Sequence, residues 1–413
     1  MIVFPSPSAL EVSVVIPVYG GRKHLEQALG TLLAHTEPCY EVIVVDNASP
    51  DGTTAWVREH VGGIGLIANE RNVGFGPAVN QGALHARGRS LCLLNSDAFV
   101  EPGWLPPLLE QLGRPGVGAV VPRLLNLDGT LQEAGGLVGR SGIGYALGST
   151  DDPDRPRFRF RRTVDYGSGA CLLLHRWLFH SVGGLDPVFG LAYCEDVDLA
   201  FRLAARGFRT VYEPGSTVRH VKGASSPAEH VVALRDANTA TLRARWTDAL
   251  ARRPPLEDLD RYPHRVAAGR DADAPDRLLV ACARLPGLPG TGDALGDLVG
   301  EIAGTWTFGR LALLTVEPAD SGDLEPWLRL GVEVAVEPGG PRVWLRHRLL
   351  HFSAVLVADP IATGRLGADI RATQPQALTV SLGPDPDSDV VVPRARSLRA
   401  LVSALAGAGW APS

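Results

Sequence analysis

The stretch Arg89-Ser-Leu-Cys-Leu-Leu-Asn-Ser-Asp-Ala98 is the clearest indicator of the fold of this chain. Its continuously apolar run predicts a strand that is buried on both faces of a parallel sheet. The run ends abruptly in Asn95-Ser96-Asp97, so the strand delivers a carboxylate to its C-terminal edge, where open α/β sheets bind ligands. A second acidic group, Glu195-Asp196-Val197-Asp198, opens a helix-like segment. We expect these two carboxylate sites to meet in one cleft.

Apolar runs and amphipathic segments alternate around this stretch. Strand-like runs cover 12–19, 41–46, 65–68 and 90–94, and helical spacing covers 22–35, a segment from about 53, and 76–86. Four strands with three interposed helices predict a right-handed, mostly parallel, doubly wound α/β sheet. Further along, helices are predicted over 102–112, 186–207 and 228–250, and strands over 118–122 and 208–212. The segment 126–165 is rich in Gly, Asp, Pro and Arg, which predicts long loops or irregular strands of the kind that form a substrate pocket.

The chain has 413 residues and exceeds the size at which a single core usually stops growing. We therefore expect two domains, with a catalytic domain over 1–250, a linker over 251–276 and an accessory domain over 277–413. Five strand-like runs with interposed helical segments predict that the accessory domain is a smaller, Rossmann-like α/β unit. The strand-like runs are 277–283, 310–316, 332–336, 354–357 and 377–380, and the helical segments are 291–303, 342–350 and 361–372.

Bulk composition excludes several classes of protein. The formal net charge of −5 gives no general nucleic-acid footprint. The five cysteines are scattered without a Cys-x-x-Cys pair, which favours a reducing cytoplasm over a disulfide framework or a structural zinc site. Residues 1–11 lack a secretory signal pattern, and no apolar stretch reaches the roughly 18 residues of a membrane span. We expect a cytoplasmic protein, with peripheral contact at the inner face of the membrane left open.

A nicotinamide-dependent dehydrogenase is one alternative for this sheet. Asp46 follows the second strand, where such enzymes place the acidic residue that binds ribose. After the first strand, however, the chain offers only Gly20-Gly21 and no Gly-x-Gly-x-x-Gly turn for a pyrophosphate. The missing turn argues against nicotinamide chemistry.

Seven short motifs lie along the first 250 residues in a characteristic order. They are Val14-Val-Ile-Pro-Val-Tyr19, Val44-Val-Asp-Asn-Ala-Ser49, Asn72-Val-Gly-Phe-Gly76 with Asn80, Asn95-Ser-Asp97, Gly167-Ser-Gly-Ala170, Val182-Gly-Gly-Leu-Asp186 and Glu195-Asp-Val-Asp-Leu199. In this order and spacing they resemble glycosyltransferase family 2, in its rhamnosyltransferase-type branch. The resemblance implies a GT-A nucleotide-diphospho-sugar transferase fold, a nucleotide-sugar donor with UDP or dTDP favoured, a divalent cation, and inversion at the anomeric carbon.

The resemblance also implies which residues bind the donor. Asp46, at a strand end, accepts hydrogen bonds from the base or ribose in this reading, although it is equally suited to cap the next helix. Tyr19 lines the base pocket or packs. The remaining nucleotide-sugar-binding candidates lie in the other motifs and are Pro17, Asn72, Gly74, Asn80, Asn95, Ser96, Asp97 and Gly169.

Asp97 is the expected ligand for Mn²⁺ or Mg²⁺ at the donor phosphates, because a carboxylate oxygen is a hard donor. Asn95 stands where the family places a first carboxylate, which leaves the protein's share of the cation charge smaller. His220 matches a region where relatives supply an imidazole ligand, and an imidazole slightly favours Mn²⁺. A hydrogen-bonded strand end remains the alternative for His220.

Asp196 is the expected general base, since an inverting transfer needs a carboxylate near the acceptor hydroxyl and no covalent intermediate. We expect Glu195 to position the acceptor or share the proton relay. Asp198 is expected to be structural, as an acid in a first helical turn. The alternating Arg157-Phe-Arg-Phe-Arg-Arg162 reads either as a docking site for an anionic head group, phosphorylated acceptor or polysaccharide, or as a solvated edge strand.

The leading hypothesis is an inverting, metal-dependent glycosyltransferase of polysaccharide biosynthesis that moves a sugar, with rhamnose a candidate, to a hydroxyl of a glycan, lipid-linked or small-molecule acceptor. One alternative is a catalytically silent nucleotide-sugar-binding scaffold whose C-terminal domain docks a partner. Another is a nucleotidyltransferase, although the first strand lacks a glycine-rich, basic phosphate loop. The accessory domain loosely resembles the N-terminal half of a GT-B glycosyltransferase through Phe352–Asp359, and we expect it to bind the acceptor, oligomerise or dock a partner. The oligomeric state stays open.

Overall fold

The computed structural model describes residues 1–5, 9–37, 39–221, 228–256, 277–305, 311–338, 342–346, 352–358, 364–374, 376–382 and 390–391. The predicted linker lies outside these residues from position 257 onward. The chain divides into two compact units. The first is Met1–Pro153 with Val164–Pro255, and the second is Asp154–Thr163 with Leu256–Ser413.

Short strands and helices alternate through the first unit. Its strands are β1 (Ile2–Val3), β2 (Val12–Val18), β3 (Tyr40–Asp46), β4 (Val61–Gly62), β5 (Gly65–Ala68), β6 (Ser90–Leu94), β7 (Ala98–Val100), β8 (Val117–Leu125), β9 (Leu131–Glu133), β10 (Gly136–Val138), β11 (Gly144–Ala146), β12 (Arg162–Val164, at the unit boundary), β13 (Cys171–His175) and β14 (Arg209–His220). Its helices are α1 (Arg22–His35), α2 (Thr53–His60), α3 (Phe75–His85), α4 (Leu105–Leu112), α5 (Arg176–Ser181), α6 (Glu195–Ala204), α7 (Ala228–Arg245) and α8 (Thr247–Ala251).

The main sheet of this unit is mixed, with strand order β12-β14-β8-β13-β6-β2-β3-β5. The part made of β6, β2, β3 and β5 is parallel throughout, as predicted from the alternating pattern. The strands β2 and β6 are fully buried because helices cover both faces of a parallel sheet. Beyond β6 the strand β13 runs antiparallel, which the sequence did not indicate. That reversal places the start of β13 beside the end of β6.

The second unit contains one parallel sheet in the order β17-β16-β15-β18-β19-β20. Its strands are β15 (Leu278–Cys282), β16 (Leu311–Thr315), β17 (Glu333–Val336), β18 (Ala354–Val357), β19 (Leu378–Ser381) and β20 (Val390–Val391), and its helices are α9 (Ala294–Thr305), α10 (Ser321–Arg329), α11 (Arg342–Arg346) and α12 (Gly364–Thr373). Numbered from β15, this order is the 3-2-1-4-5-6 order of a Rossmann fold, and the prediction of a Rossmann-like unit is confirmed. The sequence reading missed α10, where Pro326 interrupts the helical pattern.

The segment Asp154–Thr163 belongs to the second unit although it lies inside the first in sequence. Phe160 is fully buried in a core shared with Leu278 and Trp327, and Arg159 pairs with Glu325 of α10. Phe158 is buried as well. The alternating Arg-Phe pattern is therefore explained by burial of its aromatic rings, and these rings are not exposed for docking. Among the described residues, no helix is long and apolar enough to cross a lipid bilayer.

Candidate active site

The loops that follow the parallel strands meet at the carboxyl edge of the first sheet. Since β2, β3, β5 and β6 run parallel, the chain leaves each of them on the same side. Hydrogen bonds join the loops: the Gly20 N–H donates to Ser49 Oγ at 2.8 Å, and Asn47 Nδ2 donates to the Gly74 carbonyl at 3.2 Å. The sequence motifs that follow these strands thus form one surface.

Asp46 is fully buried at the end of β3 and is already hydrogen-bonded. Its Oδ1 accepts from the Ser49 N–H at 2.9 Å and from the Ser49 hydroxyl at 2.5 Å, and its Oδ2 accepts from the Thr54 hydroxyl. The carboxylate therefore shapes the loop that leads into α2, but it does not cap the helix: the N-cap is Gly52, with no side-chain hydrogen bond. Tyr19 has 47% of its surface exposed beside this loop, whereas Pro17 is buried within β2. Base binding by Asp46, Tyr19 and Pro17 stays a prediction.

The next candidates, Asn72, Gly74 and Asn80, order the backbone around α3. Asn72 Oδ1 accepts from the Gly74 N–H at 2.9 Å, and Gly74 adopts a φ of 93°. A Cβ at Gly74 would lie 2.5 Å from the Gly190 carbonyl oxygen, so only glycine fits there. The Asn80 side chain binds the backbone of Leu185: its Oδ1 accepts from the Leu185 N–H at 2.9 Å, and its Nδ2 donates to the Leu185 carbonyl at 2.7 Å. These contacts hold the loop before α6 against the start of α3.

A polar group collects at the end of β6. Asp97 is buried, and its Oδ1 lies 3.3 Å from His220 Nε2 at the end of β14. Asn95 Nδ2 lies 3.2 Å from the same ring nitrogen. The structure therefore brings together the three residues that the sequence nominated around the cation, with Ser96 between them in the turn. Pairing of β14 with β7, in which His220 lies opposite Ala98, sets this approach.

The pair Glu195 and Asp196 lies at the start of α6. The residues just before the antiparallel strand β13 connect this pair to the polar group at the end of β6. The Asn95 N–H donates to the Ala170 carbonyl at 3.0 Å, and the neighbouring Gly169 N–H contacts Asp196 Oδ2 at 3.4 Å. The two carboxylate sites thus face the same sheet edge, as expected from the sequence. A Cβ at Gly169 would lie 3.0 Å from the Phe75 ring, so a side chain at this position would crowd that ring.

Glu195 and Asp196 have perturbed proton affinities. Burial and, as the smaller cause, the adjacent Asp196 charge together raise the pKa of Glu195 to about 8. Burial also raises the pKa of Asp196, while the backbone N–H groups of Val197 and Gly169 oppose that rise. Glu195 Oε2 is buried without a hydrogen-bond partner in the described part of the chain. Groups with such shifts in a cleft are typical of acid and base catalysis.

Two residues that hydrogen-bond parts of the candidate site were not predicted from the sequence. Gln132 in β9 contacts His220, with its Oε1 2.7 Å from the ring Nδ1. Asn238 in α7 donates to the carbonyls of Phe189, Ala192 and Tyr193 at 2.7 to 3.0 Å, and so holds the loop that precedes Glu195. Neither residue lies in a motif. No signal in the sequence indicated Asn238, because the burial of its amide is visible only in the structure.

That loop needs support because its backbone is strained. Tyr193 and Cys194 adopt φ values of 76° and 73°, which non-glycine residues rarely do. Asn238 satisfies the Tyr193 carbonyl in this conformation. The strain aims the first turn of α6, and with it Glu195 and Asp196, at the sheet edge.

The mixed sheet with an acidic carboxyl edge is that of the GT-A nucleotide-diphospho-sugar transferase fold. The family model "Glycosyl transferase family 2" matches residues 13–162. An N-acetylglucosaminyl-diphospho-decaprenol L-rhamnosyltransferase of Mycobacterium tuberculosis is 31% identical over 271 residues, which cover 57% of this chain and 88% of the relative. The chain belongs to glycosyltransferase family 2, in its rhamnosyltransferase-like branch, and is a glycosyltransferase.

Other relatives and structures are similar over part of their length. The O-antigen biosynthesis protein RfbC of Myxococcus xanthus is 33% identical over 239 residues, which cover 55% of this chain and 18% of the relative. Among solved structures, GalNAc-T7 with UDP, GalNAc and Mn²⁺ aligns with a TM-score of 0.48 at 20% identity, covering 60% of this chain and 50% of the other.

Proposed function

We propose that the protein transfers a sugar, with inversion, from a nucleotide-diphosphate donor to a hydroxyl of a glycan, lipid-linked or small-molecule acceptor. One observation carries the proposal: two carboxylate sites of different chemistry lie at one sheet edge. Asp97 lies beside an imidazole, whereas Glu195 and Asp196 form no ion pair with a lysine or arginine in the described residues. The first site suits a phosphate-bound cation, and the second suits proton transfer.

Asp196 acts as the general base in this proposal. An inverting displacement needs a carboxylate that takes the acceptor's hydroxyl proton while the sugar bond to the diphosphate breaks. The raised pKa of Glu195 keeps its carboxyl protonated at neutral pH, so it can donate a hydrogen bond while Asp196 accepts the proton. Such general-base catalysis is worth about 10² to 10⁴ in rate. The two carboxyl groups titrate as a coupled pair.

The residues at the end of β6 fit a divalent cation. Asp97 Oδ1 and His220 Nε2 lie 3.3 Å apart, so a carboxylate oxygen and an imidazole nitrogen converge on one point. The described residues contain no group of three or more His, Cys, Asp or Glu that could hold a metal alone. Two protein ligands are sufficient when substrate phosphates and water complete the coordination. When bound, Mn²⁺ or Mg²⁺ neutralises charge on the departing diphosphate.

The name of the rhamnosyltransferase relative supports a proposal for the donor sugar and for the acceptor. We propose a dTDP- or UDP-linked sugar, with rhamnose as the first candidate, and an acceptor hydroxyl on a diphospholipid-linked amino sugar. The name of the Mycobacterium tuberculosis relative specifies a rhamnosyl group and such an acceptor. A lipid-linked acceptor would place the reaction at the cytoplasmic face of a membrane.

A thermal-unfolding screen of the full chain tests the donor. UDP-, dTDP- and GDP-sugars are compared with and without Mn²⁺, because a ligand at 100 times its Kd stabilises the native state by about 2.7 kcal/mol. We expect a dTDP- or UDP-sugar to raise the unfolding temperature, and more so with Mn²⁺. The donor so identified is then incubated with a GlcNAc-diphospholipid, and the anomeric configuration of the product is determined. Retained configuration, or donor binding without transfer to any acceptor, would overturn the proposal.

A further inference from the structure

Gln132 is a buried side chain that contacts His220 twice. Its Nε2 donates to the His220 backbone carbonyl at 3.0 Å, and its Oε1 lies 2.7 Å from His220 Nδ1. Nε2 also donates to Asn126 Oδ1 at 2.9 Å. Gln132 has 6% of its surface exposed, so water does not substitute for these partners. The amide nitrogen is therefore held by two acceptors, and the amide oxygen faces the imidazole.

The orientation of the Gln132 amide follows from its neighbours. The His220 carbonyl can only accept, so the amide nitrogen must face it. Asn126 uses its own Nδ2 on Thr130 Oγ1 at 2.9 Å and on the Leu131 carbonyl at 3.4 Å, which leaves its oxygen for Gln132. A flipped Gln132 would oppose oxygen to oxygen at both contacts. Gln132 Oε1 therefore faces the imidazole.

This orientation determines the tautomer of His220. Because an amide oxygen only accepts hydrogen bonds, the proton of the ring lies on Nδ1. A ring with a single proton then carries its lone pair on Nε2, which lies 3.2 Å from the Asn95 amide nitrogen and 3.3 Å from Asp97 Oδ1, so two acceptors, Nε2 and the carboxylate oxygen, face each other where a cation would lie. Metal-binding histidines commonly donate their second N–H to an acceptor in this way, which fixes the ring and makes it a better ligand.

We propose that Gln132 is a positioning residue that holds His220 in the Nδ1–H tautomer, so that Nε2 binds the divalent cation together with Asp97. The inference rests on the proposed function, since it gives this pair the role of cation ligands. The orientation of His220 affects cation binding more in this site than in a site with two carboxylates, because Asn95 stands in the place of the first carboxylate. With only one carboxylate, cation affinity depends on how well the imidazole is oriented.

The tautomer can be measured directly in the metal-free full chain. Long-range ¹H–¹⁵N spectra of ¹⁵N-histidine-labelled protein distinguish Nδ1–H from Nε2–H rings, and His220→Ala assigns the signal. We expect the Nδ1–H pattern in the native chain and a shift toward Nε2–H in Gln132→Met, which keeps the volume but removes the acceptor. An Nε2–H pattern in the native chain, or an unchanged pattern in Gln132→Met, would overturn the inference.

Cation affinity provides the second readout. Mn²⁺ alone is titrated into each protein, and free Mn²⁺ is followed by its electron paramagnetic resonance signal. We expect Gln132→Met to weaken binding by about 10 to 100-fold, the usual cost of losing such a partner. Gln132→Glu keeps an acceptor for Nδ1 and should lose less. In a His220→Ala background, Gln132→Met should have no further effect.

Gln111→Met is the matched control, because Gln111 is also a buried glutamine but lies in α4 and hydrogen-bonds Glu110. It should leave Mn²⁺ affinity unchanged, and unfolding midpoints report the stability of every variant. Equal Mn²⁺ affinity in the native chain and Gln132→Met, or equal weakening by the control, would contradict the role of Gln132. Both readouts need no sugar donor, so an absence of transfer would count against the proposed function alone.

Discussion

The first turn of α6 carries two kinds of buried carboxylate within four residues. Asp198 is fully buried, and it is bonded to Arg202 at 2.7 Å, Arg245 at 3.0 Å and the Trp246 indole at 2.9 Å. Glu195 and Asp196 form no such pair in the described structure, and burial raises their pKa values. The difference shows that burial alone does not assign a role: Asp198 is neutralised by cation partners, whereas Glu195 and Asp196 have none among the described residues, which supports the proposed acid-base role of that pair.

The largest expected effect is on catalysis at Asp196. Asp196→Asn should lower kcat for sugar transfer by about 10² to 10⁴, because the amide cannot take the acceptor proton. Donor affinity and the unfolding midpoint should change little. Asp248→Asn is the control, since Asp248 is an exposed acid in the first turn of α8. Full transfer activity in Asp196→Asn would contradict the role of Asp196 as general base, and with it the contrast to the ion-paired Asp198.

Asp198 should respond in the opposite way. Asp198→Asn is expected to lower the free energy of unfolding by about 3 kcal/mol, because Arg202 loses its buried partner. Arg245 keeps its ion pair with Asp186 at 2.8 Å, which limits the loss. Urea unfolding of the variant and of Asp248→Asn gives the difference. If Asp198→Asn were as stable as the control, the ion-pair network would have no structural role.

The pH dependence of stability should reveal Glu195. Its pKa of about 8 in the folded state exceeds the ordinary value of 4.5, so the folded state binds more protons between these two pH values. Stability should therefore fall as pH rises from about 4.5 to 8, by at most about 1.4 kcal/mol per pH unit. Glu195→Gln should flatten this dependence, and Glu26→Gln, at an exposed position of α1, should not. Urea midpoints at several pH values measure both.

Asn238 should have the smallest effect of the four. Asn238→Ala removes the donor that holds the strained loop before Glu195, and we expect a loss of about 1 to 3 kcal/mol of stability. Sugar transfer should fall as well, because the loop aims Asp196. Asp236→Ala, at an exposed position of the same helix, is the control. A variant with native kcat would show that the loop keeps its conformation without Asn238.

The sequence predicted those parts of the fold that long apolar runs specify. The strands β2, β3 and β6 are runs of this kind, and the motif at the end of β6 made Asp97 a candidate, whereas Asp196 became a candidate through the acidic motif that opens α6. The strands β9, β10 and β11 have three residues each, and the sequence predicted only loops or irregular strands in this region, because pairing with other segments fixes such short strands. Gln132 lies in β9. Its role could not be predicted, because its contact with His220 joins residues 88 positions apart.

The second sheet shows why a similar topology need not give a similar site. At the start of α9, where a Rossmann fold binds phosphate, the Asp293 carboxylate already accepts from the N–H groups of Gly287, Leu295 and Gly296. These hydrogen bonds lower the pKa of Asp293. The chain thus supplies its own anion at this position.

The assignment of Asp154–Thr163 to the second unit has a practical consequence for dissecting the protein. The chain passes between the two units at 153/154, at 163/164 and at 255/256, so no single cut separates them. A truncation after Pro255 would leave Phe160 without the core that buries it, on a protein still containing the whole family-matched region. Ribosomal synthesis meets the same constraint, since this piece of the second unit emerges about a hundred residues before the strands that cover it.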